Sequence, residues 1–122
     1  MEKSVASLEN KKNGERWKAA VELERFGQPA ADSLIAALKD EDRWVRYIAA
    51  DALANIGAVQ AIPALIALLE DPDQDVRFAV AAAIGKLGGS KALPKLTTML
   101  ETDNGYVRIA VEEAIEKISQ TK

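Results

Sequence analysis

The chain contains no cysteine and no histidine among its 122 residues. Without cysteine it cannot form a disulfide, use a thiolate nucleophile or bind zinc or an iron–sulfur cluster through sulfur. Without histidine it lacks the commonest general base and the commonest metal ligand of proteins. We therefore expect no catalytic residue, no metal site and no cofactor, and hence a protein that is not an enzyme.

The sequence also lacks long apolar runs, and its first residues lack the apolar segment of a signal peptide. These absences predict a cytoplasmic protein without a membrane segment. The net charge is only −3, with both signs interspersed, which disfavours a nucleic-acid partner. Aromatic residues make up 5% of the chain, and an alanine- and leucine-rich composition of this kind favours closely packed helices.

What the sequence does contain is a repeat of about 31 residues. Val45-Arg46, Val76-Arg77 and Val107-Arg108 recur at intervals of 31. Other columns keep the same register: Leu38, Leu69 and Leu100; Leu34, Leu65 and Leu96; and Leu23, Leu53, Ile84 and Ile115. Within a unit the apolar spacing is that of two short helices. One such hairpin cannot bury both of its apolar faces, whereas stacked copies can.

Local signals place the ends of these helices. The N-cap positions of the first helices hold Asp42, Asp73 and Asn104, and Gly27, Gly57 and Gly88 follow their C-terminal ends, where a positive φ is needed. Pro63 and Pro94 fall in the first turns of second helices. The predicted first helices are 15–26, 43–56, 74–87 and 105–119, and the predicted second helices are 30–39, 60–70 and 91–101, with a further one at 3–9.

The predicted fold is all-α: a right-handed α-α superhelix, or α-solenoid, of about 31-residue helical hairpins and roughly eight helices. It forms one domain over residues 1–122. This domain consists of an N-terminal half-unit and cap at 1–14, repeats at 15–42, 43–73 and 74–104, and a capping helix at 105–122.

Two segments carry a family resemblance. Residues 71–77 read Asp-Pro-Asp-Gln-Asp-Val-Arg, and an alanine-rich helix and then Ala92-Leu93-Pro94-Lys95-Leu96 follow them. This pattern resembles the short HEAT repeat of the phycobilisome-lyase-like class over nearly the whole chain. The resemblance implies the solenoid fold. Some relatives are enzymes that hold iron through histidine and glutamate, but this chain has no histidine. Others are longer, two-subunit bilin lyases, and many are plain binding modules.

The most regular charged column is Arg16, Arg46, Arg77 and Arg108. It could form an anion-binding stripe. We favour a structural ladder, in which each guanidinium group points partly inward and bridges successive loops while its stem packs. Asp42 and Asp73 are the expected partners, with Asn104 as a neutral substitute.

Loop carboxylates and aromatic residues form the remaining columns. The carboxylates, Asp40, Asp71 and Asp103 among them, could bind calcium or act as an acid/base pair, but N-capping and compensation of the helix dipole are the favoured interpretation. Trp17, Tyr47, Phe78 and Ile109 form one aromatic or apolar column, and Trp44 and Tyr106 share a second. Packing between repeats is favoured over base stacking for the first column. Other positions equivalent to Trp44 hold Gly14 and Asp75, so no fixed core position demands an aromatic residue there.

The second helices should line the concave face of the solenoid, which extended binding surfaces of this class use. The candidate partner-binding residues on that face are Ser33, Ala36, Gln60, Ala64, Ala67, Lys91, Lys95 and Thr98. The predicted function is a monomeric, non-enzymatic scaffold or adaptor that binds a segment of a protein there. The alternative is an accessory subunit of an enzyme, such as a bilin-lyase-like or chromophore-handling complex.

The two ends of the array differ from its middle. Where the inner first helices have alanine or glycine, the first unit has Glu22 and the last helix has Glu112 and Glu116. Charges at these positions are typical of terminal units that lack a neighbour, and they suggest a finite, capped stack. We expect Glu112 and Glu116 to be exposed while Ala50 and Ala81 are buried. Glu24 departs from the pattern, because it lies on the flank that the next unit should cover.

Overall fold

The computed structural model describes residues 13–120, with side chains from Arg16 onward. This part of the chain forms seven α-helices: α1 (Asn13–Glu24), α2 (Ala31–Ala37), α3 (Arg43–Asn55), α4 (Ile62–Ala67), α5 (Gln74–Leu87), α6 (Leu93–Thr102) and α7 (Gly105–Gln120). The odd-numbered helices are the first helices of the units, and the even-numbered ones are the second helices. The helix predicted at 3–9 lies outside the described residues.

The helix ends follow from the local sequence. The Asp42 carboxylate accepts a hydrogen bond from the backbone N–H of Trp44, and that of Asp73 accepts from Asp75 and Val76. Each carboxylate thus satisfies donors that the first turn of a helix leaves free. Gly57 and Gly88 adopt φ values of 75° and 78° after α3 and α5, which glycine accepts without steric cost. The predicted caps and turn glycines are confirmed.

Second helices are shorter than predicted because part of each is a 3₁₀ turn. The turns Gln28–Ala30, Val59–Ala61 and Ser90–Ala92 lead into α2, α4 and α6. Another turn, Leu68–Glu70, extends α4 at its other end. Pro63 and Pro94 stand at the start of α4 and α6, where no backbone donor is lost.

The helices stack in two layers. Each first helix packs against the next first helix, and each second helix packs against the first helix that follows it. The core between the layers is a single cluster of leucine, isoleucine, valine and alanine side chains, including Leu34, Leu65 and Leu96, which are fully buried. This arrangement is an α-solenoid, as predicted. None of the described helices is long and apolar enough to cross a membrane.

The glutamates at the ends lie where the alanine pattern predicts. Ala50 and Ala81 have 0% exposure, whereas Glu112 at the equivalent position of α7 is exposed, as is Glu116, the equivalent of Ala54 and Gly85. Glu24, which departs from the pattern, is half-buried and accepts a hydrogen bond of 3.2 Å from the Asn55 side chain. The flank that α3 covers therefore tolerates Glu24 because a polar partner stands opposite.

The first helices α5 and α7 approach each other closely at Gly85. A Cβ atom added there would lie 2.7 Å from the Cα of Ala114 and 2.9 Å from its Cβ. These distances are shorter than carbon atoms tolerate, and the obstacle is backbone that cannot rotate away. Glycine at this position lets α5 and α7 pack in direct backbone contact.

We expect Gly85→Ala to lower the free energy of unfolding by about 1–3 kcal/mol, because overpacking outweighs the gain in helix propensity of about 1 kcal/mol. Urea denaturation followed by circular dichroism measures the change. The matched control is Gly105→Ala, where an added Cβ meets nothing within 4 Å. Equal stability of the two variants would contradict the close packing of α5 on α7.

Candidate functional site

Arginine side chains of two first helices, α3 and α5, bridge successive loops of the solenoid. Arg46 Nη1 donates to the backbone carbonyls of Asp40 and Glu41, at 2.8 and 3.1 Å, in the loop before its own helix. Its other end meets the Asp71 carboxylate in the loop that follows α4: Nη2 donates to Oδ1 at 3.2 Å, and Nε lies 2.8 Å from Oδ2 without the alignment of a hydrogen bond. One guanidinium group thus joins two loops that are a whole unit apart.

The same arrangement recurs in the next unit. Arg77 Nη1 donates to the carbonyls of Asp71 and Pro72, at 2.8 and 3.2 Å. Its Nε and Nη2 atoms bind the two oxygens of Asp103 at 2.9 and 3.0 Å. Arg16 binds both oxygens of Asp40 at 2.8 Å. We name this set, Arg16–Asp40, Arg46–Asp71 and Arg77–Asp103, the arginine–aspartate ladder.

The prediction that Asp42 and Asp73 are the partners of the arginine column is wrong. Asp42 and Asp73 do not pair with Arg46 or Arg77, because their carboxylates cap α3 and α5 instead. Asp73 does contact an arginine, but it is Arg43, at 3.0 Å. Asn104 likewise accepts from the backbone N–H of Val107 at the start of α7. The partners in the ladder come two residues earlier, or one residue earlier in the case of Asp103.

The carboxylates of the ladder are buried or already hold hydrogen-bond partners. The side chain of Asp71 is only 4% exposed, and the carboxylates of Asp40, Asp71 and Asp103 also accept from backbone N–H groups of the following turn. Carboxylates and guanidinium groups that bind each other in this way form no anion-binding stripe. Among the described residues, no cluster of three or more acidic side chains could hold a metal ion.

Burial and pairing act in opposite directions on the ladder carboxyls. Burial raises the pKa of Asp40, but the hydrogen bonds from Arg16 and from the Asp42 backbone outweigh it and hold the pKa below its usual value of 3.8. The pKa of Asp103 is lowered in the same way by Arg77 and the Asn104 backbone, against the effect of burial. Both groups are therefore carboxylates at neutral pH.

Arg108 is the fourth arginine of the column, and it differs from the other three. It is exposed on α7, and within the described range it forms no ion pair. Its equivalents in the column meet a carboxylate in the loop after a second helix, and no second helix follows α7 within the described residues. Arg108 has the sequence signature of the ladder without its contacts.

The candidate partner-binding residues all lie on the second helices and the turns that lead into them; we name this surface the second-helix face. Five of them are exposed and three are partly exposed: Ala36, Gln60, Ala67, Lys91 and Thr98, and then Ser33, Ala64 and Lys95. Two of its polar members already have side-chain partners. Gln60 donates to the Gln28 side chain at 2.9 Å, and Lys95 binds Glu70 at 2.8 Å. The face is thus a row of small side chains between fixed polar groups.

The first helices carry an aromatic surface that the sequence pattern only partly predicts. Tyr47 and Phe78 are half-buried against the core, as packing between repeats requires. Trp17 and Ile109, in the same column, are 37% and 61% exposed. Tyr106 stacks on Phe78 with ring centroids 4.7 Å apart, and its hydroxyl donates to Asp75 at 2.8 Å. That hydrogen bond to a carboxylate raises the pKa of Tyr106 to about 12.

The family of the chain follows from its repeats. A family model of HEAT repeats matches residues 31–116, which is well over half of the chain. The chain therefore belongs to the HEAT-repeat family. No curated protein matches it at the sequence level.

Solved structures show the same fold. The chain is similar to human deoxyhypusine hydroxylase, with a TM-score of 0.82 and 24% identity over 97% of this chain and 43% of that one. It is also similar to an engineered protein, with a TM-score of 0.72 and 23% identity over 97% and 62% of the two chains. The complex of CpcE and CpcF of phycocyanin lyase from Nostoc sp. PCC7120 gives a TM-score of 0.63 and 25% identity over 96% and 64%. The chain spans less than two thirds of each.

Arg46→Ala should lower the free energy of unfolding by about 3 kcal/mol, because it leaves the buried Asp71 carboxylate without its counter-ion. Urea denaturation measures the loss. Arg108→Ala is the matched control, since it removes the same residue type from the same column where no ion pair exists, and it should change stability by less than about 0.5 kcal/mol. If both variants lost the same amount, the ladder would not be the source of the stability.

The ladder also predicts a loss of stability in acid. Because the pKa values of Asp40 and Asp103 are lower in the folded protein, the unfolded chain binds more protons between the folded and unfolded values. The free energy of unfolding should therefore fall as the pH drops from about 4 through the folded pKa values. Urea midpoints measured across this window test it. Asp103→Asn should make the free energy of unfolding depend less steeply on pH in this window. Glu113→Gln, on an exposed part of α7, should leave that dependence unchanged.

Proposed function

We propose that this HEAT-repeat solenoid is a non-enzymatic scaffold that binds a segment of a partner protein on its second-helix face. The observation that carries the proposal is the row of small, exposed side chains, Ala36, Ala67 and Thr98, with one on each second helix. Because the units repeat in register, the row is continuous across the face, and a backbone or an apolar helix face can approach it closely.

The polar groups on this face support the same proposal. Gln60 and Lys95 are already held by Gln28 and Glu70, so a partner would meet side chains whose rotamers are fixed. Binding then costs less conformational entropy than it would on a face of free side chains. Lys91 is exposed and supplies a positive charge at one end of the face.

Several features support a role without catalysis. The chain has no histidine and no cysteine, and the loop carboxylates that could act as acid and base are bound in the ladder or in helix caps. Paired carboxylates of a catalytic kind need a free oxygen within reach of a substrate. Those of the ladder are instead held by arginine and backbone donors. We also propose a cytoplasmic location and a monomeric state.

A second candidate function is an accessory subunit of a bilin-handling enzyme. The observation in its favour is the similarity to the CpcE and CpcF complex of phycocyanin lyase, at 25% identity over 96% of this chain. In that case the second-helix face would dock another subunit of the enzyme or its protein substrate. The two functions differ in the identity of the partner rather than in the surface.

The test is affinity capture from the source organism with the immobilised protein, followed by mass spectrometry. Ala67→Glu places an unpaired charge in the middle of the row and should lower recovery of the partner by about ten-fold. Lys95→Glu should weaken capture as well. The matched control is Lys117→Glu, the same charge change on an exposed position of α7, which should leave recovery unchanged.

Partners that bind both second-helix variants as well as they bind the unaltered protein would remove this face from the proposal. Captured lyase subunits or a pigment protein, with visible absorption in the eluate, would favour the bilin-handling candidate.

A further inference from the structure

Both tryptophans of the chain line one cleft. The cleft lies between α1 and α3, has a volume of about 330 Å³ and is bounded by Trp17, Trp44 and Ile48. We name it the tryptophan cleft. Its volume is at the small end of the range for ligand-binding pockets, about 300–1,000 Å³. It can accept one or two apolar side chains.

Packing between repeats does not require the Trp44 ring, and it leaves the Trp17 ring partly uncovered. Trp17 and Trp44 are 37% and 45% exposed. In the other units, the positions equivalent to Trp44 hold Gly14, Asp75 and Tyr106, so the repeat demands no aromatic residue at that position. Large, half-exposed tryptophans at the edge of an open cleft are the kind of residue that contributes most of the binding energy in protein interfaces.

Two basic side chains, Lys18 and Arg43, lie beside the rings of the cleft. Lys18 Nζ lies 5.8 Å from the centre of the Trp17 ring, and the guanidinium carbon of Arg43 lies 5.2 Å from the centre of the Trp44 ring. Lys18 is exposed and forms no ion pair within the described residues. Arg43 Nη1 donates a hydrogen bond to the Asp73 carboxylate at 3.0 Å. A guanidinium group has five N–H donors, so others remain available to a ligand. Each ring of the cleft thus has a cation beside it.

We propose that the tryptophan cleft binds an acidic segment of a partner protein that carries one leucine- or phenylalanine-sized anchor side chain. The anchor fills the space between Trp17, Trp44 and Ile48. Carboxylates on either side of the anchor meet Lys18 and Arg43. A basic segment is disfavoured, since its charges would approach the two cations and would compete with them for the rings.

This site is separate from the second-helix face. The cleft lies between first helices, whereas the second-helix face is formed by α2, α4, α6 and their leading turns. The two proposals can therefore fail independently. A second copy of the chain is the competing occupant of the cleft, and the experiment distinguishes it.

The location of both tryptophans makes their fluorescence a specific probe of the cleft. The protein is titrated, up to about 1 mM, with a short synthetic peptide that has a leucine flanked by glutamates, and the emission is recorded. We expect a saturable blue shift or quenching. The same peptide with alanine in place of leucine should bind about ten-fold more weakly, and so should the peptide with lysines in place of the glutamates.

Variants are measured by fluorescence anisotropy of a labelled peptide, so that losing a tryptophan does not remove the signal. Trp44→Ala should weaken binding by about ten-fold or more, and Lys18→Glu by about three-fold, with a reduced dependence on salt. The matched control is Lys117→Glu on an exposed position of α7, which should bind like the unaltered protein. Circular dichroism checks that each variant is folded.

Three results would overturn the proposal. One is an emission spectrum that no peptide changes. Another is a lysine-flanked peptide that binds as tightly as the glutamate-flanked one. The third is an emission shift that follows protein concentration alone and coincides with a doubled mass in analytical ultracentrifugation, because the cleft would then be covered by a second copy.

Discussion

The bridge that one arginine makes between two loops fixes how each unit of this solenoid sits on the next. A hairpin of two short helices buries its apolar faces only against its neighbours, and leucine and alanine contacts alone permit a range of relative angles. Arg46 and Arg77 remove that freedom, because each binds carbonyls ahead of its helix and a carboxylate one unit further on. The bonds share members, since Asp71 binds Arg46 through its side chain and Arg77 through its carbonyl. The ladder is therefore one network along the loop edge, and such networks stabilise more than separate pairs do.

The same network decides which residues remain available for function. The carboxylates that would be the first candidates for acid–base or metal chemistry are the ones the ladder and the helix caps bind, so the loop edge contributes to stability. What remains for recognition is the outward surface of each helix layer. In the proposed function, stability and binding therefore depend on different parts of every unit, and substitutions on the second-helix face or at the tryptophan cleft need not disturb the stack.

The sequence predicts the fold well because its information is periodic. Columns at intervals of about 31 residues, capping residues such as Asp73 and the glycines at positive φ each specify local structure, and they agree with one another. The partners of the ladder escaped prediction for a reason that lies in the same periodicity. Asp40 and Asp71 recur at the same interval of 31 residues as Asp42 and Asp73, so the interval does not tell which aspartate of a loop meets the arginine. Exposure of Trp17 and Ile109 was also missed, because a column shows equivalent positions but not whether a neighbouring unit covers them.

The two helix layers offer different kinds of surface, and this difference bears on specificity. The second-helix face repeats nearly the same small residues in each unit, so it favours close approach over its whole length but distinguishes poorly between partners. The first helices change along the array, from Trp17 and Trp44 through Tyr47 and Phe78 to the exposed glutamates of α7. A surface that changes in this way can distinguish one partner segment from another. An anchor side chain fits only at the tryptophan cleft, and only there do Lys18 and Arg43 meet the charges that flank the anchor. A partner that touched both layers would gain affinity from one and selectivity from the other, which a flat surface of uniform composition cannot provide.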